Sequence, residues 1–231
     1  MRFMFVGDSM TIGRAGDYTW RYRMWQHLSA SSFPWPPEIV GPRSGLYDPA
    51  ADAPLSTAYA DPAFPADARR HLAGWGEGWL HQAPTVGAAV AEHRPDVLLV
   101  SLGLIDLGFY TNSEQTAVNV RRFVAGARAA APGLRMVLLP VIPNVRARTD
   151  APFAAECVRF NELLAKAVAD LDEPASPLLL ASPPADYDLD ADTYDGTHPG
   201  PTGEQKLAAA FATALHQAWG VGGPYRWRGE R

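Results

Sequence analysis

The sequence of 231 residues contains a single cysteine, Cys157. An intramolecular disulfide and a cysteine-rich zinc site are therefore excluded. No apolar run approaches the roughly 20 residues that a membrane-spanning helix needs, so we do not expect a membrane as a partner. The N-terminal run Met1–Gly7 is also too short for the core of a signal peptide, and we expect a cytoplasmic protein.

The chain also lacks a block of basic residues. It holds 20 Lys and Arg against 25 Asp and Glu, which gives a formal net charge of −5. The sequence has no cationic stretch that could bind the phosphate backbone of a nucleic acid, so nucleic acid is not expected as a partner. The hydrophobic share of 47% and the charged share of 19% are ordinary for a globular protein, and the length suits one α/β domain.

Four short apolar runs have the composition of parallel strands that are buried on both faces. They are Phe3–Val6, Val97–Leu102, Met136–Val141 and Leu178–Leu180. Glu38–Val40 is a weaker fifth run, which we expect at an edge of the sheet. Helical patterns separate the later runs. This alternation predicts a doubly wound, three-layer α/β/α sandwich around a five-stranded parallel sheet.

Start signals predict three amphipathic helices between and after these strands. Thr111-x-x-Glu114 has the form of a capping box at the start of the first helix. Asp150 is the expected cap of the second, which carries Pro152 in its first turn. The third begins near Thr202. Each is expected to bury one apolar face against the sheet.

We expect a single domain over residues 1–219, with a long irregular insertion at about 31–79 and a loosely packed tail at 220–231. The insertion is rich in proline and aromatic residues, and long ordered loops of this kind are often functional. Some tryptophans of the chain could line an acyl or sugar pocket, while others must belong to the core. The candidates are Trp20, Trp25, Trp35, Trp75 and Trp79.

The first predicted strand runs directly into Gly7-Asp8-Ser9-Met10-Thr11. In a doubly wound sheet, ligands bind outside the carboxyl ends of the strands. Ser9 is therefore a candidate nucleophile, and its backbone N–H is a candidate donor to an oxyanion. Taken alone, the same segment is equally compatible with a strand-to-helix turn in which Ser9 is an ordinary N-cap.

A second cluster of reactive residues, Asp195-Gly196-Thr197-His198-Pro199, precedes the last helix. A carboxylate three residues before a histidine can accept the imidazole N–H, which fixes the tautomer and leaves the other nitrogen free to take a proton. The alternatives are a surface turn and half of a metal site. No further His or Cys lies nearby at ligand spacing, so we expect no metal.

Together, Gly7–Met10 and Asp195–Pro199 resemble the first and fifth blocks of the GDSL or SGNH hydrolase family, over a range from Gly7 to about Leu215. The resemblance implies a flavodoxin-like fold with Ser9 as nucleophile, His198 as general base and Asp195 as its orienting partner. It also implies a small-molecule ester substrate and no cofactor.

The second block of the family supplies a glycine whose N–H binds the oxyanion. In Gly74-Trp75-Gly76-Glu77-Gly78-Trp79 the resemblance favours Gly78, with Gly76 as second choice; a tight turn that merely needs glycine is the alternative. The resemblance further implies structural roles beside the site for Asp8 and Asp106. Asp106 is expected to hold its loop by accepting backbone N–H groups.

The third block departs from the family pattern Gly-x-Asn-Asp, because the chain reads Gly103-Leu104-Ile105-Asp106. Ile105 cannot donate the hydrogen bond that the asparagine would give, and such a donor is typically worth about 10²–10³ in turnover. Three explanations stay open. Asn144, or less favourably Asn112, supplies the donor; two backbone donors suffice; or the site has changed its role.

The motifs predict a serine hydrolase that cleaves a carboxylic acyl ester, with a small acyl group or an acetylated sugar as substrate, through an acyl-enzyme. Two alternatives remain: an acyltransferase that uses the same residues, and a carbohydrate- or metabolite-binding protein with a weakened site. The oligomeric state is left open.

Overall fold

The computed structural model of the chain describes residues 1–31 and 36–227. Eight strands are present among these residues. They are β1 (Arg2–Gly7), β2 (Glu38–Ile39), β3 (Leu46–Asp48), β4 (Ala53–Ser56), β5 (Leu72–Ala73), β6 (Val97–Ser101), β7 (Arg135–Leu139) and β8 (Leu178–Leu180).

The central sheet is parallel, with the strand order β2-β1-β6-β7-β8. This is the flavodoxin-like order, and it confirms the predicted fold class and the five predicted strands. The short strand β5 also pairs with the carboxyl end of β1, where Gly7 lies opposite Ala73. It was not predicted, because two residues are too few to show a periodicity. Phe3–Val6 are fully buried, as expected for a strand covered on both faces.

Helices flank the sheet. They are α1 (Ser9–Ile12), α2 (Trp20–Ser29), α3 (Trp79–Gln82), α4 (Val86–His93), α5 (Ser113–Ala130), α6 (Ala151–Leu171), α7 (Leu189–Asp192) and α8 (Pro201–Trp219). Helix α2 packs against α8, whereas α4, α5 and α6 form a second group. In the first group, Trp20 of α2 stacks on Phe211 of α8 with ring centroids 4.7 Å apart and lies edge-on to Phe5 of β1. No helix of the described residues is long and apolar enough to cross a bilayer.

Side-chain caps set the starts of the long helices. Asp150 caps α6 as predicted, since its Oδ1 accepts a hydrogen bond from the N–H of Phe153 at 3.0 Å. The cap of α5 is Asn112, which accepts from Gln115 N–H at 2.9 Å, so the prediction of a capping box at Thr111 was wrong by one residue. A competing Asx cap directly after the threonine explains the shift.

The predicted insertion at 31–79 is less irregular than expected. It contains β2, the antiparallel hairpin β3–β4, a 3₁₀ turn over Ala66–Arg69 and β5. The buried Arg21 guanidinium ties it to the domain, because it donates to the carbonyls of Thr11, Ile12 and Arg69 and to the hydroxyl of Tyr59. Of these elements, β2 was predicted as the weak run Glu38–Val40. The strands β3, β4 and β5 depend on tertiary contacts, so their two- to four-residue sequences gave no signal.

The start of the predicted tail is packed rather than loose. Val221 is buried in the core, and the ring of Tyr225 lies 5.1 Å from that of His27. The last part of the tail, residues 228–231, lies outside the described residues.

Candidate active site

The turn after β1 places Ser9 at the carboxyl edge of the sheet. Asp8 caps the short helix α1, and its Oδ1 accepts a hydrogen bond from the N–H of Met10 at 3.0 Å. Gly7 permits the tight turn, since a Cβ atom there would lie 2.0 Å from the hydroxyl of Thr11. Burial raises the pKa of Asp8 to about 7.

The side chains of Ser9, His198 and Asp195 form a continuous chain of hydrogen-bonding contacts. Ser9 Oγ lies 2.9 Å from His198 Nε2, although 189 residues separate them in sequence. The other ring nitrogen, Nδ1, lies 2.7 Å from Asp195 Oδ2. If Nδ1 carries the proton and donates to the carboxylate, Nε2 is free to accept the proton of the serine hydroxyl.

The loop that carries His198 is held by the same carboxylate. The second oxygen of Asp195 accepts the N–H groups of His198 at 2.8 Å and of Thr197 at 3.0 Å. Burial works against ionisation of this carboxyl, but these hydrogen bonds and the imidazole keep the pKa of Asp195 below its ordinary value. Gly196 has a φ of +81° and its carbonyl accepts from Val145 N–H at 2.8 Å, which fixes the loop against the segment after β7.

Ser9 and His198 open into a cavity of about 580 Å³. Its walls include several residues that the sequence singled out, namely Trp75, Gly76, Ile105 and Asn144. Its other lining residues were not predicted: Leu104, Gly108, Phe109, Tyr110, Arg146, Phe153 and Thr197. For Phe109 and Tyr110, the sequence signal was their position just after the third block. In the structure they belong to the π-helical turn Asp106–Tyr110.

The two candidate oxyanion glycines have different environments. The N–H of Gly78 donates to His81 Nδ1 at 3.1 Å, and Gly78 is not among the lining residues. Gly76 lines the cavity with a φ of +72°, and its N–H has no hydrogen bond within the described residues. The geometry therefore favours Gly76 over Gly78, the reverse of the expected order.

Gly78 has a packing role instead. A Cβ atom at this position would lie 2.2 Å from the carboxylate of Asp106. This carboxylate accepts the N–H groups of Trp79 at 2.8 Å and Leu80 at 2.9 Å, so it anchors the start of α3 to the loop after β6. Burial raises the pKa of Asp106 from its ordinary value.

Ile105 presents an apolar side chain to the cavity where the family pattern has a donor. Asn144 lines the same cavity; its Oδ1 accepts from Arg146 N–H at 3.2 Å, and its amide nitrogen has no partner among residues 1–31 and 36–227. Asn112, the second candidate, caps α5 and is not one of the lining residues.

Of the candidate tryptophans, Trp75 lines the cavity. Trp20 and Trp79 are fully buried in the core, and Trp25 packs on Tyr22. Trp35 lies outside the described residues. Within the described ranges, no group of three or more His, Cys, Asp or Glu side chains is arranged to hold a metal ion.

Comparisons with known proteins agree with this architecture. The profile of the GDSL-like lipase/acylhydrolase family matches residues 5–206, so the chain belongs to that family and is a GDSL-type esterase. None of the curated proteins matches it.

Several solved structures share the fold at low sequence identity. An acetyl esterase is 22% identical, with 94% of this chain and 97% of that chain covered and a TM-score of 0.74. A family 3 carbohydrate esterase from Talaromyces cellulolyticus has the same four values, 22%, 94%, 97% and 0.74. An acetylxylan esterase from Geobacillus stearothermophilus is 14% identical, with 98% and 97% covered and a TM-score of 0.66.

Proposed function

We propose that the chain is a serine esterase that removes a short acyl group, such as acetyl, from a carbohydrate or another small alcohol. The proposal rests on two consecutive hydrogen-bonding contacts: Ser9 Oγ lies 2.9 Å from His198 Nε2, and His198 Nδ1 lies 2.7 Å from Asp195. A hydroxyl is a weak nucleophile until a positioned base takes its proton, and this arrangement provides that base.

In the proposed reaction, His198 Nε2 takes the proton of Ser9 while Oγ bonds to the ester carbonyl carbon. The carbonyl oxygen becomes an oxyanion. When the tetrahedral intermediate collapses, the C–O bond to the alcohol breaks and His198 returns the proton to the leaving oxygen. Water then attacks the acyl-Ser9 ester while His198 takes its proton. When this second tetrahedral intermediate collapses, the bond to Ser9 Oγ breaks, His198 returns the proton to Oγ, and the carboxylic acid is released.

The oxyanion needs donors aimed at it in a largely water-free site. We assign these to the N–H of Ser9, the N–H of Gly76 and the amide nitrogen of Asn144. The last two line the cavity and lack partners among the described residues. In this assignment Asn144 takes the part that the family pattern gives to the residue at position 105.

The lining of the cavity supports the substrate class. Leu104 and Ile105 offer apolar surface near Ser9, which suits a short acyl group. Phe109 and Tyr110 offer flat aromatic faces, on which the apolar side of a sugar ring can pack. The names of the similar solved structures, an acetyl esterase and a carbohydrate esterase, point in the same direction.

A panel of nitrophenyl esters and acetylated xylo-oligosaccharides tests the proposal. We expect the wild-type protein to release acetate and to prefer acetyl over long acyl chains, and Ser9→Ala to lose at least about 10³-fold in kcat. Ser182→Ala, which changes an exposed serine, is the matched control and should keep full activity. Equal rates for Ser9→Ala and the wild type would remove Ser9 from the mechanism.

A further inference from the structure

The imidazole of His198 lies inside a column of aromatic rings. Trp75 stacks on one face, with ring centroids 4.7 Å apart and ring planes 15° from parallel. The ring of Tyr194 is also nearly parallel to the imidazole, with centroids 5.7 Å apart and ring planes 14° from parallel. The column continues on both sides, because Tyr47 stacks on Trp75 at 4.0 Å and the guanidinium of Arg14 lies 4.0 Å from the centre of the Tyr194 ring.

Backbone hydrogen bonds join the two ends of this column. The N–H of Tyr47 donates to the carbonyl of Gly13 at 2.9 Å, and the carbonyl of Tyr47 accepts from Ala15 N–H at 2.8 Å. Tyr47 belongs to the hairpin β3–β4 of the insertion, whereas Arg14 follows α1. The insertion at 31–79 therefore supplies both Trp75 and the ring of Tyr47 that stacks on its outer side.

We propose that Trp75, backed by Tyr47, is a positioning residue that keeps the His198 ring in the plane between Ser9 and Asp195 and stabilises the positive charge that this ring acquires when it takes the serine proton. The inference rests on the proposed function, since it concerns the same base. Parallel aromatic faces restrict rotation of the imidazole, and the electron-rich face of an indole attracts a cation.

Charged groups also lie around the imidazole. Asp195 holds the edge of the ring at Nδ1. Asp17 and Arg14 lie on the loop after α1, where Asp17 Oδ2 accepts the N–H of Arg14 at 2.8 Å. These two groups carry opposite charges, and the guanidinium of Arg14 lies over the ring of Tyr194. Among the ring contacts of the described residues, Trp75 is the ring nearest to the imidazole.

Two substitutions of Trp75 separate the aromatic effect from simple coverage. Trp75→Leu keeps an apolar cover over the imidazole but removes the π face, whereas Trp75→Phe keeps a smaller π face. Trp219→Leu is the matched control: Trp219 lies at the end of α8 under the guanidinium of Arg135, at the opposite edge of the sheet. Tyr47→Leu removes the backing ring and leaves Trp75 in place.

The primary readout is an NMR titration of the His198 ring protons in each full-length protein, which does not depend on turnover. We expect Trp75→Leu to lower the pH of the titration midpoint by about 0.5 to about 1 pH unit and to remove the upfield ring-current shift of the His198 ring protons. The same substitution should lower kcat by about 3- to 30-fold. Trp75→Phe should restore most of each effect, and Tyr47→Leu should give a smaller change in the same direction. Trp219→Leu should titrate like the wild type.

An unchanged midpoint in both Trp75→Leu and Tyr47→Leu would overturn the inference, whatever the kinetics. A change in KM alone, with the midpoint and kcat unchanged, would also overturn it, because it would reduce Trp75 to a wall of the cavity. If the wild type hydrolysed no ester while Trp75→Leu still moved the midpoint, the proposed function would fail and the stabilising stack would stand.

Discussion

At position 105 the chain carries an isoleucine where the family pattern has an asparagine, and Asn144 faces the same cavity from the segment after β7. The oxygen of the Asn144 side chain is engaged as a helix cap, so the amide group is oriented while its nitrogen stays available. An oriented donor loses little entropy when it binds the oxyanion, which is the property that the missing asparagine would have supplied.

Asn144→Asp tests whether the Asn144 amide replaces the oxyanion donor that is missing at position 105. The variant keeps an oxygen that can cap the N–H of Arg146 but removes the donor and adds a negative charge. We expect kcat for nitrophenyl acetate to fall by about 10²- to 10³-fold, with a much smaller change in KM, since the bond forms mainly in the transition state.

Asn112→Asp provides the control for Asn144→Asp, because Asn112 is also an Asx cap but lies away from the cavity. Its kcat should stay within about twofold of the wild type. A loss of less than about threefold in Asn144→Asp would show that two backbone donors are enough, and our assignment would then be wrong.

Among the elements, the four-residue helix α3 depends on contacts from outside its own sequence. Its first N–H groups are held by Asp106 from the loop after β6, and Gly78 lets this carboxylate approach. Gly78→Ala places a Cβ atom against the carboxylate, and we expect it to lower the free energy of unfolding by about 1–3 kcal/mol. Denaturant unfolding monitored by circular dichroism measures this change.

Gly126→Ala is the matched control for Gly78→Ala. Gly126 lies inside α5, and a Cβ atom there would meet its neighbours at 3.6 Å, an ordinary contact distance. Because alanine favours a helix interior over glycine, this variant should raise the free energy of unfolding by about 0.5–1 kcal/mol. Equal destabilisation by both variants would contradict the explanation based on Asp106.

The elements also show how far the sequence alone could predict the fold. Strands such as Phe3–Val6 were predicted because burial on both faces leaves a continuous apolar run. The hairpin β3–β4 was not, since its strands are held by tertiary contacts, such as the backbone hydrogen bonds of Tyr47 with Gly13 and Ala15, rather than by their own periodicity. Propensity and pattern describe local preference, and tertiary contacts override them in such short segments.

The candidate site divides in the same way. Ser9, Asp195 and His198 could be proposed because each occurs in a short motif at a defined place relative to a strand or helix. Trp75 was only one of five candidate tryptophans, and Tyr194 was not proposed, although it precedes Asp195 directly. The stacking of Trp75 on His198 joins two distant parts of the chain, which no local pattern encodes.

For the whole molecule, buried carboxyls link stability to pH. Burial raises the pKa of Asp8 to about 7, and it also raises that of Glu204 to about 7 despite the nearby Arg23. A carboxyl with a raised pKa binds its proton more tightly in the folded state. Its contribution to stability is therefore complete below the unfolded value and is lost as the pH rises through the folded value. His71 acts in the opposite direction, because burial lowers its pKa well below the usual value.

Asp8→Asn isolates the contribution of Asp8 to the pH dependence of stability, since asparagine keeps an oxygen for the N–H of Met10 but does not titrate. Between its ordinary pKa of 3.8 and its folded pKa of about 7, Asp8 is ionised in the unfolded chain but protonated in the folded protein, so the wild type loses stability as the pH rises. The difference in unfolding free energy, variant minus wild type, should thus grow across this interval by up to about 4 kcal/mol and stay constant at higher pH.

Urea unfolding at a series of pH values measures the effect of Asp8→Asn, with Asp67→Asn as the control at an exposed aspartate. A difference that does not change with pH for Asp8→Asn would mean that folding leaves the pKa of Asp8 at its ordinary value.

The 189-residue separation between Ser9 and His198 has a consequence for refolding. No fragment that regains only local structure can bring the two side chains within reach, because the contact requires β1 and the loop before α8 to reach the same edge of the sheet. Recovery of esterase turnover would therefore lag behind the return of helical signal. Enzyme assays during refolding would report on completed long-range assembly, which spectroscopic probes of secondary structure do not detect.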